Sequence, residues 1–179
     1  MALGSAGKAE DSGGAHFEDL NHNGKYEFIG NDWTFAYWHA SFAESPAPRV
    51  ILRAKPGEKG TVEYRLAMDL MAKSPPSSEK FQNLVATVKG NENWSRFVPA
   101  VLWSEMLDFI YTGNPDLAWK LWDETWPTNR PSKGGFLGAF CERLSDSPYF
   151  TELEDNLGQT PPDCFSGNDS FGPPEPPAP

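Results

Sequence analysis

The sequence predicts an α+β fold, in which a small antiparallel β-sheet of about four strands is followed by a bundle of four to five α-helices. Strand-like aromatic and β-branched segments, separated by turn signals, fill residues 16–73. Apolar residues at helical spacing then fill residues 78–158. Aromatic residues make up 13% of the chain, with 7 Trp and 12 Phe, so the sequence supplies a large core.

Four segments of the first half have the residue types and turns expected of strands. Aromatic residues alternate along 33–39, so we expect strands at 26–29 and 33–39, joined by the turn signal that begins at Gly30. A loop rich in Lys, Gly and Pro separates Arg49–Ala54 from Thr61–Met68, which predicts a hairpin. These segments form the predicted sheet.

Amphipathic spacing predicts the helices of the second half. In the first helix, apolar residues recur at i, i+3, i+4 and i+7 behind Ser78, which we expect to be its N-cap. The second helix follows Pro99 and is apolar almost all round, so it is expected to be buried. The expected helices are Glu79–Lys89, Ala100–Thr112, Asp116–Trp126, Gly134–Leu144 and a short one within Pro148–Leu157.

The ends of the chain have a different composition. Residues 1–15 are rich in Gly, Ser and Ala and are interpreted as a flexible leader, and residues 159–179 as a proline-rich tail that ends in GPPEPPAP. The β-sheet half, 16–73, and the helical half, 78–158, are expected to form one domain. No run of 18 apolar residues is present, so no transmembrane segment is expected.

The net charge of −10 limits the classes of partner. Nearly all of the excess negative charge lies in the second half of the chain, and phosphate binding requires clustered Lys and Arg, so we expect no nucleic-acid partner. The acidic residues could instead form a face for a basic protein, which would make the chain a helical interaction adaptor; a merely solvated surface is the alternative. These residues are Asp123, Glu124, Glu142, Glu152, Glu154 and Asp155.

The segment DLNHNGKYEFI, which begins at Asp19, has the spacing of a cation-binding loop. Oxygen-bearing side chains stand at loop positions 1, 3, 5 and 9, a backbone carbonyl is expected at position 7, and Gly24 provides the sharp turn. An Asx-rich turn held by its own side-chain hydrogen bonds, without a metal, is the alternative. The expected Ca²⁺ ligands are Asp19, Asn21, Asn23, the Lys25 carbonyl and Glu27.

This loop, running into a strand, resembles the calcium loop of the FG-GAP and VCBS repeat families, which occur in integrin-like propellers and secreted bacterial proteins. The resemblance covers about a dozen residues once, and Asn23 stands where the stronger forms of the loop have Asp. It is not an EF-hand loop, because position 12 is Gly30 rather than Glu. The resemblance implies an exported, periplasmic or secreted protein that binds Ca²⁺ weakly, with a dissociation constant of roughly 10⁻⁴ to 10⁻³ M.

The two cysteines, Cys141 and Cys164, are compatible with one disulfide or with two thiols. Cys141 is expected on the inward face of a helix, and Cys164 lies in chain that nothing else anchors. A bridge between them would stabilise the protein by roughly 3 kcal/mol, and we expect it in an exported protein.

Two further features concern function. His39, with Ser41 and Glu44 close in sequence, is the only hint of a hydrolase site, and neither a G-x-S-x-G elbow nor a nucleotide-binding motif is present. Trp33, Tyr37 and Trp38 cannot all be buried by a one-sided sheet, so an exposed aromatic there is the better binding candidate. The leading expectation is a non-enzymatic calcium-binding or ligand-binding module with an unknown protein or small-molecule partner; the hydrolase and the adaptor are the alternatives.

Overall fold

The computed structural model describes residues 14–162, 164 and 165, and it shows the expected α+β fold. Most of the expected leader and most of the expected tail lie outside these residues. The four-stranded sheet is a meander, since each strand pairs antiparallel with the next in the order β1-β2-β3-β4. The strands are β1 His16–Glu18, β2 Glu27–Asn31, β3 Arg49–Pro56 and β4 Val62–Leu66.

The register of the sheet places an apolar row across its strands. Phe28 of β2 lies opposite Leu52 of β3, which lies opposite Leu66 of β4. Directly opposed residues share a face, so these side chains lie side by side. Leu52 and Leu66 are buried in the main core, and Phe28 packs against it. The sheet and the helices therefore share one core.

The predicted strand at 33–39 is wrong, and β1 was not expected. Residues 34–37 form turns, residues 38–40 form bends, and residues 42–44 form a short 3₁₀ helix. Tyr37 and His39 adopt left-handed backbone conformations, with φ of 60° and 52°, which no strand accommodates. The expected turn at Gly30 is also wrong, because β2 runs through Gly30 to Asn31.

The helices follow the predicted pattern with small shifts at their ends. A short helix that the sequence did not suggest, α1, leads from the sheet into the bundle. The first long helix is capped by Ser77, which accepts a hydrogen bond from the Lys80 N–H at 3.3 Å, and not by Ser78 as expected. The helices are α1 Met68–Met71, α2 Ser78–Lys89, α3 Ala100–Tyr111, α4 Pro115–Thr125, α5 Lys133–Ser145 and α6 Phe150–Glu154.

Helix α3 is the centre of the core, as its composition predicted. It packs against α4, which also packs against α2, while α1 packs on strand β3. The expected disulfide is present: Cys141 of α5 is bonded to Cys164, with 5.4 Å between their Cα atoms. It fixes the end of the described chain to α5. The buried residues of α3 are Leu102, Trp103, Met106, Leu107, Phe109, Ile110 and Tyr111.

Candidate functional site

The loop predicted to bind calcium connects β1 to β2 and is held by its own side chains. The Asp19 carboxylate accepts hydrogen bonds from the backbone N–H of Asn23, at 3.0 Å, and of Gly24, at 2.9 Å. The Asn23 side-chain oxygen accepts one from the Lys25 N–H at 2.8 Å. Gly24 has a φ of +80°, which explains why glycine stands at the turn. The bond from Lys25 to Asn23 is that of an Asx turn, whereas the two bonds to Asp19 close the wider loop.

Glu27, the fifth expected ligand, lies beneath the loop and is only 1% exposed. Its Oε2 accepts a hydrogen bond from the Leu20 N–H at 3.3 Å, and its Oε1 lies 3.5 Å from Nε of Arg53. Arg53 also forms a two-pronged pair with exposed Asp69, at 3.1 and 3.0 Å. This pair raises the pKa of Arg53 and lowers the pKa of Asp69. Glu27 thus has a cationic partner of its own.

The donor set suits Ca²⁺ in part. Each Asp19 oxygen accepts one hydrogen bond from the loop and keeps a lone pair for a cation, whereas the Glu27 carboxylate is bonded beneath the loop. Within the described part of the chain, no three His, Cys, Asp or Glu side chains are grouped so that they could hold a metal ion. Three of the five expected ligands are amide or carbonyl oxygens, so the lack of such a group does not test the expected site, and calcium binding stays a prediction. The expected ligands thus remain Asp19, Asn21, Asn23, the Lys25 carbonyl and Glu27.

The segment between β2 and β3, residues 32–48, presents the exposed aromatic side chains that the sequence suggested. Trp33 is 48% exposed, Tyr37 71% and Phe42 50%. The rings of Trp33 and Phe42 are stacked, with centroids 5.1 Å apart and planes 13° apart, and the Tyr37 ring lies 5.4 Å from Phe42. We call these three residues the aromatic platform. It is an exposed apolar surface formed by contiguous rings, which is typical of a binding site.

The underside of the same segment packs into the core. Phe35 is buried against Phe140 of α5, with ring centroids 5.2 Å apart. Trp38, which was a candidate for exposure, is partly buried and contacts Trp103 at 5.5 Å and Phe136 at 5.2 Å. The alternating aromatic residues therefore belong to a turn and not to a strand. Phe35 and Trp38 lie on its inner side, and Trp33 and Tyr37 lie on its outer side. The platform consequently lies on the outer side of a segment whose inner side packs into the core.

A buried carboxylate fixes the start of this segment. Asp32 is 4% exposed, and its Oδ2 accepts hydrogen bonds from the Tyr111 hydroxyl of α3, at 2.5 Å, and from the Ser147 hydroxyl after α5, at 2.6 Å. Its Oδ1 accepts two more from Thr34, from the N–H at 2.8 Å and the hydroxyl at 2.5 Å. Burial, and then the charge of Asp32, raise the pKa of Tyr111 well above its usual range. We call these four residues the Asp32 network.

The backbone of the segment is held in an uncommon conformation near the platform. The Tyr37 N–H donates to the Ser45 hydroxyl at 2.9 Å, and that hydroxyl donates to the Ser41 carbonyl at 2.9 Å. Left-handed conformations at non-glycine residues cost free energy, and such strain concentrates at functional sites. Two of them, at Tyr37 and His39, occur within three residues here. At the platform, strained backbone therefore lies beside exposed apolar surface.

The hydrolase alternative rested on His39, Ser41 and Glu44. The Ser41 hydroxyl donates to the Glu44 carboxylate at 2.8 Å, so this serine pairs directly with the acid. The His39 ring is half-buried against Trp38, with centroids 4.4 Å apart, and burial lowers its pKa. This arrangement differs from a triad, in which the imidazole lies between the serine and the acid.

The acidic residues are spread over three helices, and several have cationic partners. Asp123 of α4 pairs with Lys133 at 2.6 Å, and Glu152 of α6 lies 3.5 Å from Arg65 of β4. Glu124 has Lys120 at 3.8 Å on the same helix. Carboxylates that already have cationic partners are typical of a solvated surface. The pairing therefore favours that reading over an acidic face that binds a basic protein, which the adaptor alternative requires.

Comparison with protein-family models, with curated proteins and with solved structures gave no match for this chain. No helix in residues 14–162, or in the short described stretch after it, is long and apolar enough to cross a membrane, as expected.

Proposed function

We propose that the protein is an exported, non-enzymatic ligand-binding module that holds its ligand on the aromatic platform and binds Ca²⁺ in the loop between β1 and β2. The observation that carries the proposal is the platform itself: three exposed, contiguous rings on a segment anchored by the Asp32 network. Exposed rings that are already ordered bind a ligand without the entropic cost of organising them.

Export is supported by the disulfide between Cys141 and Cys164, since disulfides persist in oxidising compartments. The resemblance of the Asp19 loop to extracellular calcium loops points the same way. In this proposal, Ca²⁺ fixes the loop above Glu27 and stabilises the edge of the sheet, and no chemical step is assigned to it.

Titration of the protein with a panel of soluble oligosaccharides and extended peptides, followed by tryptophan fluorescence, tests the proposal. The double variant Trp33→Ala, Phe42→Ala should lose about tenfold or more in affinity, because aromatic hot spots contribute about 1–2 kcal/mol or more. Tyr64→Ala is the matched control, since Tyr64 is also exposed but lies on β4. An affinity that the double variant leaves unchanged, or a panel without saturable binding, contradicts the proposal.

A further inference from the structure

Strand β4 forms one edge of the sheet and directs part of its backbone away from its neighbour. The Ala67 N–H, directly after β4, donates to the Ile51 carbonyl of β3 at 2.8 Å, which fixes the phase of the bonding between the two strands. Because bonded pairs alternate along an antiparallel ladder, Val62, Tyr64 and Leu66 direct their N–H and C=O groups away from β3. β4 is the last strand in the sheet order, so no strand of the described chain covers these groups.

The same edge carries exposed apolar side chains. Val62 and Tyr64 are both exposed, although they belong to the sheet. The Tyr64 ring lies 6.2 Å from the exposed ring of Phe17 on β1, which in turn lies 5.3 Å from the ring of Phe28. Backbone groups without a neighbouring strand, beside exposed apolar side chains, make such an edge a template for the addition of another strand.

The charged residues of β4 make this strand complementary to itself. Glu63 and Arg65 flank Tyr64. If two copies of β4 pair antiparallel with Tyr64 opposite Tyr64, each Glu63 lies opposite Arg65 of the other copy, and opposite charges so placed are stabilising. Registers centred on Glu63 or on Arg65 instead place like charges directly opposite each other, which is destabilising. The charge pattern therefore selects the register centred on Tyr64.

The existing ion pairs of Arg65 do not prevent this arrangement. Arg65 lies 2.7 Å from Glu63 and 3.5 Å from Glu152 of α6, and all three side chains reach the surface. Ion pairs at the surface contribute little to stability, so the same side chains can pair across an interface at small cost.

We propose that the protein forms a two-fold symmetric dimer, in which β4 pairs antiparallel with β4 of a second copy and joins the two four-stranded sheets into one. The two Tyr64 residues exchange two backbone hydrogen bonds, and Val62 of each copy pairs with Leu66 of the other. Strand β4 has only 5 residues, so the interface is small and the dissociation constant is roughly 10⁻⁵ to 10⁻⁴ M. This inference is independent of the proposed function, because the platform lies between β2 and β3.

Sedimentation equilibrium of the full chain tests the proposal, at an ionic strength of about 0.15 M that screens the repulsion between two acidic copies. Glu63→Arg and Arg65→Glu each place like charges opposite each other twice, so each variant alone should dimerise about tenfold or more weakly than the wild type. An equimolar mixture of the two variants should recover the wild-type affinity within about threefold, because one copy then presents two arginines and the other two glutamates.

Two further variants separate edge pairing from other effects. Lys80→Glu is the matched control: Lys80 is exposed on α2, and its replacement changes the net charge as Arg65→Glu does but should leave the affinity unchanged. Val62→Pro removes an N–H that points away from β3, so it should weaken the dimer while the sheet stays intact. Thr61, which precedes it, already has the extended backbone that a following proline requires.

Four results would overturn the inference. The first is a wild-type chain that stays monomeric up to about 1 mM. The second is wild-type affinity in either single charge variant or in Val62→Pro. The third is a mixture that associates no more tightly than its separate components. The fourth is association that continues beyond the dimer, since a head-to-tail contact, such as β4 on β1, builds open chains instead of a closed pair.

Discussion

Removing the Asp32 carboxylate should destabilise the protein strongly. Asp32→Ala leaves the buried hydroxyls of Tyr111 and Ser147 without their shared acceptor, although these two oxygens, 3.3 Å apart, can still bond each other. A hydrogen bond to a charged group contributes about 1.5–3 kcal/mol, and bonds within one network are not additive. We therefore expect a loss of about 3–5 kcal/mol, or about 6–20 °C in the thermal midpoint for a chain of this size.

Chemical denaturation followed by tryptophan fluorescence measures this loss. Tyr111→Phe removes one donor and should cost about 1.5–3 kcal/mol. A double-mutant cycle with Asp32→Asn then isolates the coupling between the two side chains. Asp108→Ala is the control: Asp108 is on the same helix as Tyr111 and pairs with Lys73 at 2.8 Å, but its side chain is 51% exposed. Its loss should change stability by less than about 1 kcal/mol.

The pH dependence of stability gives a second readout of the same network. The pKa of Tyr111 is raised in the folded protein, mainly by burial and also by the charge of Asp32. The contribution of the protonated tyrosine to the free energy of unfolding is therefore complete below pH 10 and is lost as the pH rises further. Tyr111→Phe should remove part of this alkaline loss, and Tyr149, whose pKa burial also raises, contributes to what remains. If Asp32→Ala and Tyr111→Phe each cost less than about 1 kcal/mol, the reasoning is refuted.

Three further predictions concern the loop, the disulfide and His39. Calcium at 1 mM should stabilise the fold by roughly 0.4–1.4 kcal/mol, measured as a shift of about 1–6 °C in the thermal midpoint. Asp19→Ala should abolish this shift, and His22→Ala should preserve it. If 5 mM calcium gives neither a midpoint shift nor a calorimetric heat of binding, the loop is a plain Asx turn. Reducing the bridge between Cys141 and Cys164, which are 23 residues apart, should cost roughly 3 kcal/mol in denaturant titrations, and an equal midpoint with and without reductant contradicts this. Burial lowers the pKa of His39, so the contribution of the neutral imidazole to the free energy of unfolding should be lost as the pH falls below about 6.5. His39→Asn should flatten the acid side of the curve of stability against pH, because asparagine tolerates the left-handed backbone but does not titrate. An unchanged acid side contradicts this prediction.

The helical half was predictable because its pattern is local. The apolar period of α2 and the continuous apolar run of α3 identify their buried sides without knowledge of their partners. The segment after Asp32 was not predictable for the opposite reason. Its alternating rings have the β-propensity of a strand, but Phe35 turns inward to meet Phe140, about a hundred residues later in the chain.

The candidate site depends on the same kind of distant contact. Nothing near Asp32 in the sequence distinguishes it from a turn residue, since its partners Tyr111 and Ser147 are 79 and 115 positions away. Exposed aromatic side chains are expected here on the argument that one face of a strand cannot bury Trp33, Tyr37 and Trp38 together. Trp33 and Tyr37 are exposed, but the segment forms turns and Trp38 is partly buried. The role of Phe42 was not predictable, because its stacking on Trp33 requires the turn between them.

The two proposed sites lie at the two ends of strand β2, and each is held by a different buried carboxylate. Glu27 begins the strand and is paired with Arg53, whereas Asp32 follows its last residue and is bonded to helix α3. Five residues of extended chain separate them by about 17 Å, and within the described part of the chain their side-chain partners are different. Changes that far apart combine additively, so the double variant Glu27→Gln, Asp32→Asn should lose the sum of the single losses within about 0.5 kcal/mol. A larger deviation in denaturant titrations would show that β2 transmits strain, and calcium in the loop would then act on the platform as well as on the edge of the sheet.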